Sequence, residues 1–199
     1  MIRLSIILVS LMCYSQYAYS VYSHDQPTDV IDVDGVAIAY TEFGDKAAPS
    51  VLMVMGLMAS HKVWPEALVN DLANAGYRVV LLDNRDTGDS DKLERLGEPL
   101  LWWKLLADTL GFRVSAPYAL NDMANDGVAV LDALGIEKAH LIGASMGGMI
   151  AQTIASEHPD RTMGLVSIMS TTGAEHLPEP SVETQNNMTD LMDENGDRS

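Results

Sequence analysis

The chain has 199 residues, 47% of them hydrophobic and 20% charged, with a formal net charge of −16. That length is enough for one domain with its own core. A surface this acidic argues against nucleic acid and anionic membrane surfaces as partners. The N-terminus reads apart from the rest. Met1-Ile2-Arg3 is a short basic start, Leu4 to Met12 is apolar except for Ser5 and Ser10, and Ala18-Tyr19-Ser20 is a small-x-small site. This is the pattern of a secretory signal peptide over residues 1–20, cut near Ser20, and it predicts a periplasmic or secreted protein. The apolar run is shorter than the ~20 residues a membrane-spanning helix needs, so no stable span is expected after cleavage. Cys13, the only cysteine, lies inside the signal. The mature chain is therefore expected to have no disulfide and no thiol chemistry.

Residues 21–28 read as a polar leader. Val30 to Val33 and Val36 to Tyr40 are short strands around Asp34-Gly35, a hairpin turn of the kind that accepts positive φ. Ser50 to Met55 is a continuous apolar run, as in a strand buried on both faces. It ends at Gly56-Leu57-Met58-Ala59-Ser60. Pro65 opens a helix with Leu68, Leu72 and Ala75 on one face, closed by Gly76. Arg78 to Leu82 is another buried strand, followed by the loop Asp83 to Ser90. Residues 93–119, with Leu100-Leu101-Trp102-Trp103, are longer than an ordinary connection and read as an inserted helical segment. Its apolar side chains suit either packing under a loop or an apolar wall near a site. Leu120, Met123, Ala124, Gly127, Val128, Leu131 and Leu134 recur at helical spacing, closed by Gly135.

Ala139 to Ile142 is the next strand, and it runs into Gly143-Ala144-Ser145-Met146-Gly147. A helix over Met149 to Glu157 follows and stops at His158-Pro159. Met163 to Met169 is a sixth strand, Ser170 to Pro180 a loop, and residues 181–199 an acidic tail of weak helix or disorder. Alternating strands and helices after a hairpin predict an α/β domain over residues 29–180 with a mainly parallel sheet. Its site is expected in the loops at the carboxyl ends of the strands.

The strand–Gly-x-Ser-x-Gly–helix sequence is the most informative stretch. The turn demands small residues two before and two after the serine, because larger ones collide where the chain doubles back. Gly143 and Gly147 meet that demand, and Ser145 is held out at the positive end of a helix as a candidate nucleophile.

Four features in order resemble the α/β-hydrolase superfamily, in its single-domain carboxylesterase-like branch. Val54-Met55-Gly56-Leu57 resembles the oxyanion loop after strand three, with Met55 where histidine is common. Asp83-Asn84-Arg85-Asp86-Thr87-Gly88-Asp89-Ser90 resembles the Asp-x-Arg-Gly-x-Gly-x-Ser turn, with Asp86 in place of glycine. Leu120 to Gly135 resembles the helix before the nucleophile strand, and Gly143 to Gly148 resembles the nucleophile elbow. The resemblance implies that Ser145 attacks a carbonyl carbon and that the backbone N–H groups of Leu57 and Met146 receive the oxyanion. It implies a small-molecule ester substrate and no cofactor, and no metal is expected, since no clustered His, Asp or Glu set has metal spacing. Asp83 and Arg85 are expected to brace the loop. A serine nucleophile argues against the epoxide hydrolase and haloalkane dehalogenase branches, which use aspartate there.

The resemblance also implies an acid after a seventh strand and a histidine after an eighth. Only 30 residues follow Met169, and they read as loop and tail. Strands seven and eight, with the acid and the base, are therefore expected to be missing, as in a truncated chain. His24, His61, His140 and His158 are poorly placed to replace the base. His176, beside Glu175, is the least implausible substitute. Strand six is expected to present an apolar edge that invites self-association. The alternative to an exported esterase is a catalytically incomplete fragment or a non-catalytic α/β binding module.

Overall fold

The computed structural model describes residues 21–92, 118–174 and 181–182. Its elements are β1 (Asp29–Val33), β2 (Val36–Phe43), β3 (Ser50–Val54), α1 (Glu66–Asn74), β4 (Arg78–Leu82), α2 (Leu120–Ala133), β5 (Ala139–Ala144), α3 (Met146–Glu157) and β6 (Thr162–Ile168). Single 3-10 turns lie at His61–Val63 and Pro159–Arg161. The six strands form one sheet in the order β1-β2-β4-β3-β5-β6. β1 and β2 are antiparallel, β2 meets β4 antiparallel, and β4, β3, β5 and β6 run parallel. The chain has an α/β fold with an antiparallel N-terminal hairpin and a parallel remainder, as the residue pattern predicts. The expected signal peptide lies outside the described residues, as do most of the 93–119 insertion and of the 181–199 tail.

Local chemistry explains each element. The hairpin turn places Asp34 at φ 52° and Gly35 at φ 81°, the two positive values that match the twist of the flanking strands. β3 and β4 are buried at all five positions each, so their side chains serve both faces. Leu52, Val54, Val80 and Leu82 pack with Met123, Ala124 and Leu131 of α2 and Ile150 and Ile154 of α3. Val51, Met53, Val79 and Leu81 pack on the other face with Val69 of α1, Trp64, Phe43 and Tyr22. Each fully buried aliphatic side chain of this kind contributes about 1.5–3 kcal/mol.

Three details differ from the sequence pattern. The residue of α1 that is fully buried is Val69, while Ala75 is the exposed C-cap. α3 begins at Met146, directly after the serine, because Gly147 and Gly148 let the helix pack close enough to start there. The polar leader contributes Tyr22 to the core, at 1% exposure. Its backbone N–H donates to Asn70 Oδ1 at 2.8 Å, and Asn70 Nδ2 donates back to the Tyr22 carbonyl at 3.2 Å. His24 follows with a ring nitrogen 3.0 Å from the Trp64 carbonyl. One aromatic residue among polar neighbours has no periodicity to reveal it.

β6 is an edge strand. Met163, Leu165 and Val166 along it, and Met169 just beyond, are exposed. Its backbone groups on the outer side face no strand among the described residues. No described helix is long and apolar enough to cross a membrane.

Candidate active site

Ser145 stands between β5 and α3 with φ 54° and ψ −124°. Such a conformation costs a non-glycine residue about 1–3 kcal/mol and persists only when its surroundings fix it. They do so here. The Ser145 N–H donates to the Ile168 carbonyl at 2.9 Å, and its own carbonyl accepts from the Gly148 N–H at 2.9 Å. A Cβ on Gly143 would sit 2.1 Å from the Gly147 carbonyl oxygen, and one on Gly147 would sit 2.1 Å from that of Val54. Both glycines are therefore required sterically, as the doubling-back of the chain predicts. The Ser145 hydroxyl makes no capping bond to α3, and no described residue hydrogen-bonds to it.

The loop after β3 lies against this serine. A Cβ on Gly56 would come within 3.0 Å of the Ser145 Cβ. Beyond it Leu57 is half-exposed and Met58 takes φ 56°. The loop is closed by a bond from the Ala59 N–H to the Gly56 carbonyl at 3.3 Å. The Leu57 N–H has no acceptor among the described residues. Met146 is the first residue of α3, where a helix leaves its N–H groups unpaired. Met55, in the position where histidine is common, is a buried core residue of the α1 face.

Two neighbouring residues at the end of β4 hold that loop. Asp83 is fully buried and accepts from the His61 N–H at 2.6 Å and from His61 Nδ1 at 2.9 Å. Its other oxygen accepts from the Asp89 N–H at 3.0 Å. Burial pushes the Asp83 carboxyl up, but bonds from the His61 ring, the Asp89 N–H and the His61 N–H outweigh it and hold the group below its ordinary range. The carboxylate is thus ionised and His61 Nδ1 carries the proton. Asn84 donates from Nδ2 to the Met55 carbonyl at 2.9 Å. Asp83 braces the loop, and the sequence did not disclose that its partner is His61.

Arg85 has the bracing role expected of it, through a partner the sequence left unnamed. Its Nε and one terminal nitrogen meet the two oxygens of Asp126 at 2.8 and 2.7 Å, and its guanidinium lies 5.3 Å from the centre of the Tyr118 ring. The two partners pull in different senses. Pairing with Asp126 raises Arg85 above its ordinary range, while burial pushes the Asp126 carboxyl up against the pull of Arg85. The bidentate contact at these distances is that of an ionised pair. Asp126 is visible in the sequence as an acid on the apolar face of α2, between Met123 and Val130. Asp86, where glycine is usual, takes φ 66°. Aspartate tolerates that region better than most residues, and its carboxylate lies near the Tyr118 hydroxyl. Burial and this contact push Tyr118 up to about 12.

The described histidines are all engaged away from the serine. His24 docks on α1, His61 binds Asp83, His140 meets the Tyr77 ring edge-on at 5.9 Å, and His158 caps α3 with Nε2 3.3 Å from Asn125 Oδ1. His176 and Glu175 lie outside the described residues. Among the described residues no cluster of His, Cys, Asp or Glu is arranged to hold a metal ion.

Comparison with known proteins bears on the family and the fold. The chain is 32% identical over 143 residues to rhodomycin D methylesterase DauP of Streptomyces sp. (strain C5), over 72% of this chain and 42% of that protein. It is 34% identical over 124 residues to epoxide hydrolase B of Mycobacterium tuberculosis (strain ATCC 25618 / H37Rv), over 62% of this chain and 29% of that one. A solved hydrolase from Pseudomonas aeruginosa PA01 superimposes with a TM-score of 0.59 at 21% identity, over 85% of this chain and 54% of its own, a likeness of fold. The chain thus spans less than half the length of these two sequence relatives. The sequence model of the alpha/beta hydrolase fold matches residues 49–194, most of the chain. The serine on its strained strand-to-helix turn sits on the fold of that family, and the chain belongs to the alpha/beta hydrolases.

Proposed function

We propose that this chain is a serine esterase acting on small carboxylic esters, with Ser145 as the nucleophile and the Leu57 and Met146 N–H groups as oxyanion donors. The observation that carries the reading is Ser145, held at φ 54° with no hydrogen bond to its hydroxyl among the described residues and the Gly56 loop against it. In this reading Oγ attacks the ester carbonyl while a base takes its proton. The oxyanion is received by the N–H groups of Leu57 and Met146, and the alcohol departs with a proton to leave an acyl-enzyme on Ser145. Water then releases the acid. The similarity to a methylesterase supports an ester substrate. The base and its orienting acid are assigned to residues other than the described ones, since none of these reaches the Ser145 hydroxyl.

The test is labelling of the purified chain with a fluorophosphonate, together with hydrolysis of a p-nitrophenyl ester. The chain is expected to label at Ser145 and to turn over, and Ser145→Ala to lose both. If the unsubstituted chain neither labels nor hydrolyses, the esterase reading fails. The second reading then stands, a non-catalytic module, favoured by the lack of a histidine bonded to Ser145 among the described residues. Export is part of the proposal and rests on residues 1–20. Expression with secretion should yield a protein whose N-terminal sequence starts at or near Val21, and an N-terminus retaining Met1 would count against it.

A further inference from the structure

The loop that carries the Leu57 N–H is tied at both ends to two consecutive side chains of one neighbouring strand end. At its start, the Met55 carbonyl accepts from Asn84 Nδ2 at 2.9 Å. At its end, His61 donates twice to Asp83, from its N–H at 2.6 Å and its ring at 2.9 Å. Asp83 is in turn fixed from behind, since a Cβ on Gly88 would fall 2.0 Å from its Oδ2. Between the ties lie residues 56–60, with Met58 at φ 56° and the Leu57 N–H lacking an acceptor among the described residues. Asn84 is 2% exposed, yet its Oδ1 has no hydrogen-bond partner among the described residues. A buried carboxamide left half unsatisfied is costly for stability alone. His61, at 1% exposure, commits both its N–H and its ring Nδ1 to the one buried carboxylate.

We propose that His61 and Asn84 are positioning residues for ester hydrolysis, which hold the Gly56–Ser60 loop so that the Leu57 N–H faces the carbonyl oxygen of a substrate on Ser145. This rests on the reading of Ser145 as nucleophile and of Leu57 as oxyanion donor. Neither side chain touches substrate. They act through the loop backbone, where a displacement of about 1 Å is enough to cost a large share of the rate.

The experiment uses the full chain with His61→Ala, His61→Asn and Asn84→Ala, each first checked for a cooperative thermal transition. Two quantities are read: the rate of fluorophosphonate labelling at Ser145, and amide hydrogen exchange of the peptide spanning residues 56–60 by mass spectrometry. His61→Ala and Asn84→Ala are expected to slow labelling about 10- to 100-fold and to speed exchange in that peptide. His61→Asn places an N–H donor where Nδ1–H was and is expected to recover most of the rate. Labelling in both alanine variants within twofold of the unsubstituted chain overturns the inference, whatever the exchange shows. So does slowed labelling without faster exchange, or without recovery in His61→Asn. If the unsubstituted chain fails to label, the nucleophile reading falls first and takes this inference with it.

Discussion

At the scale of single residues, the site is built from side chains that are missing. Gly147 has the Val54 carbonyl where a methyl group would go, at 2.1 Å. Neither the end of β3 nor the first turn of α3 can retreat without disturbing the packed sheet. Gly147→Ala is therefore expected to destabilise the fold by about 1–3 kcal/mol. A lowered urea midpoint with unchanged slope would report it. These glycines were legible in the sequence, because a sharp strand-to-helix turn around a serine has one steric solution. The pairing of His61 with Asp83 and of Asn84 with Met55 was not. Those contacts join positions 22 and 29 apart through residue types that loops commonly carry. No periodicity marks a buried histidine in a turn.

Among the elements, β6 differs most from its neighbours. Among the described residues β3, β4 and β5 are paired on both sides, whereas β6 has one paired edge and leaves Met163, Leu165 and Val166 exposed. Such an edge offers unpaired backbone groups beside apolar side chains, the arrangement that natural sheets usually blunt with charge. The chain is expected to self-associate through it at tens of micromolar, seen as a mass above 21.6 kDa in light scattering. Val166→Lys should return the protein to monomer, and an unchanged mass would place the contact elsewhere. The elements themselves were legible from their apolar periods, to within a few residues at each end. The apolar runs of β3 and β4 pointed to burial on both faces. Tyr22 escaped notice because one buried ring in a polar segment makes no pattern.

For the whole molecule, stability is bounded at both ends of the pH scale. At the acid end, Asp83 and Glu42 are both held below their ordinary values. For each, burial pushes the carboxyl up and hydrogen bonds outweigh it, from His61 and Asp89 in one case and from Lys46 and Arg78 in the other. The folded state therefore binds fewer protons than the unfolded one as pH falls below the ordinary 3.8 and 4.5. Their contribution is complete above those values and is lost as pH drops through the folded ones. Asp126 acts in the opposite sense, because burial raises it. At the alkaline end, Tyr22 and Tyr118 are raised from 10.0 to about 12. Burial is the main cause in each, so the fold keeps phenol protons that the unfolded chain gives up. Stability should fall between pH 10 and 12, by up to ~1.4 kcal/mol per pH unit for each tyrosine. Urea midpoints across pH 3 to 12 would show a plateau falling away on both sides, and a flat alkaline limb would contradict the role of the two tyrosines.

The two-sided burial of β3 and β4 has a consequence for how the sheet finds its alignment. In a strand with one wet face, slipping by one residue drives polar groups into the core and is penalised at once. Here a slip of β3 would merely exchange Val51 and Met53 for Leu52 and Val54 between two equally oily layers. Hydrophobicity alone therefore distinguishes the correct alignment poorly. The contacts that do distinguish it lie at the strand's end: the Val54 carbonyl against Gly147 and the Met55 carbonyl on Asn84. The serine turn and its neighbouring loop thus act as the gauge that selects the pairing of the central strands, so a chain that mispairs them also fails to assemble the site.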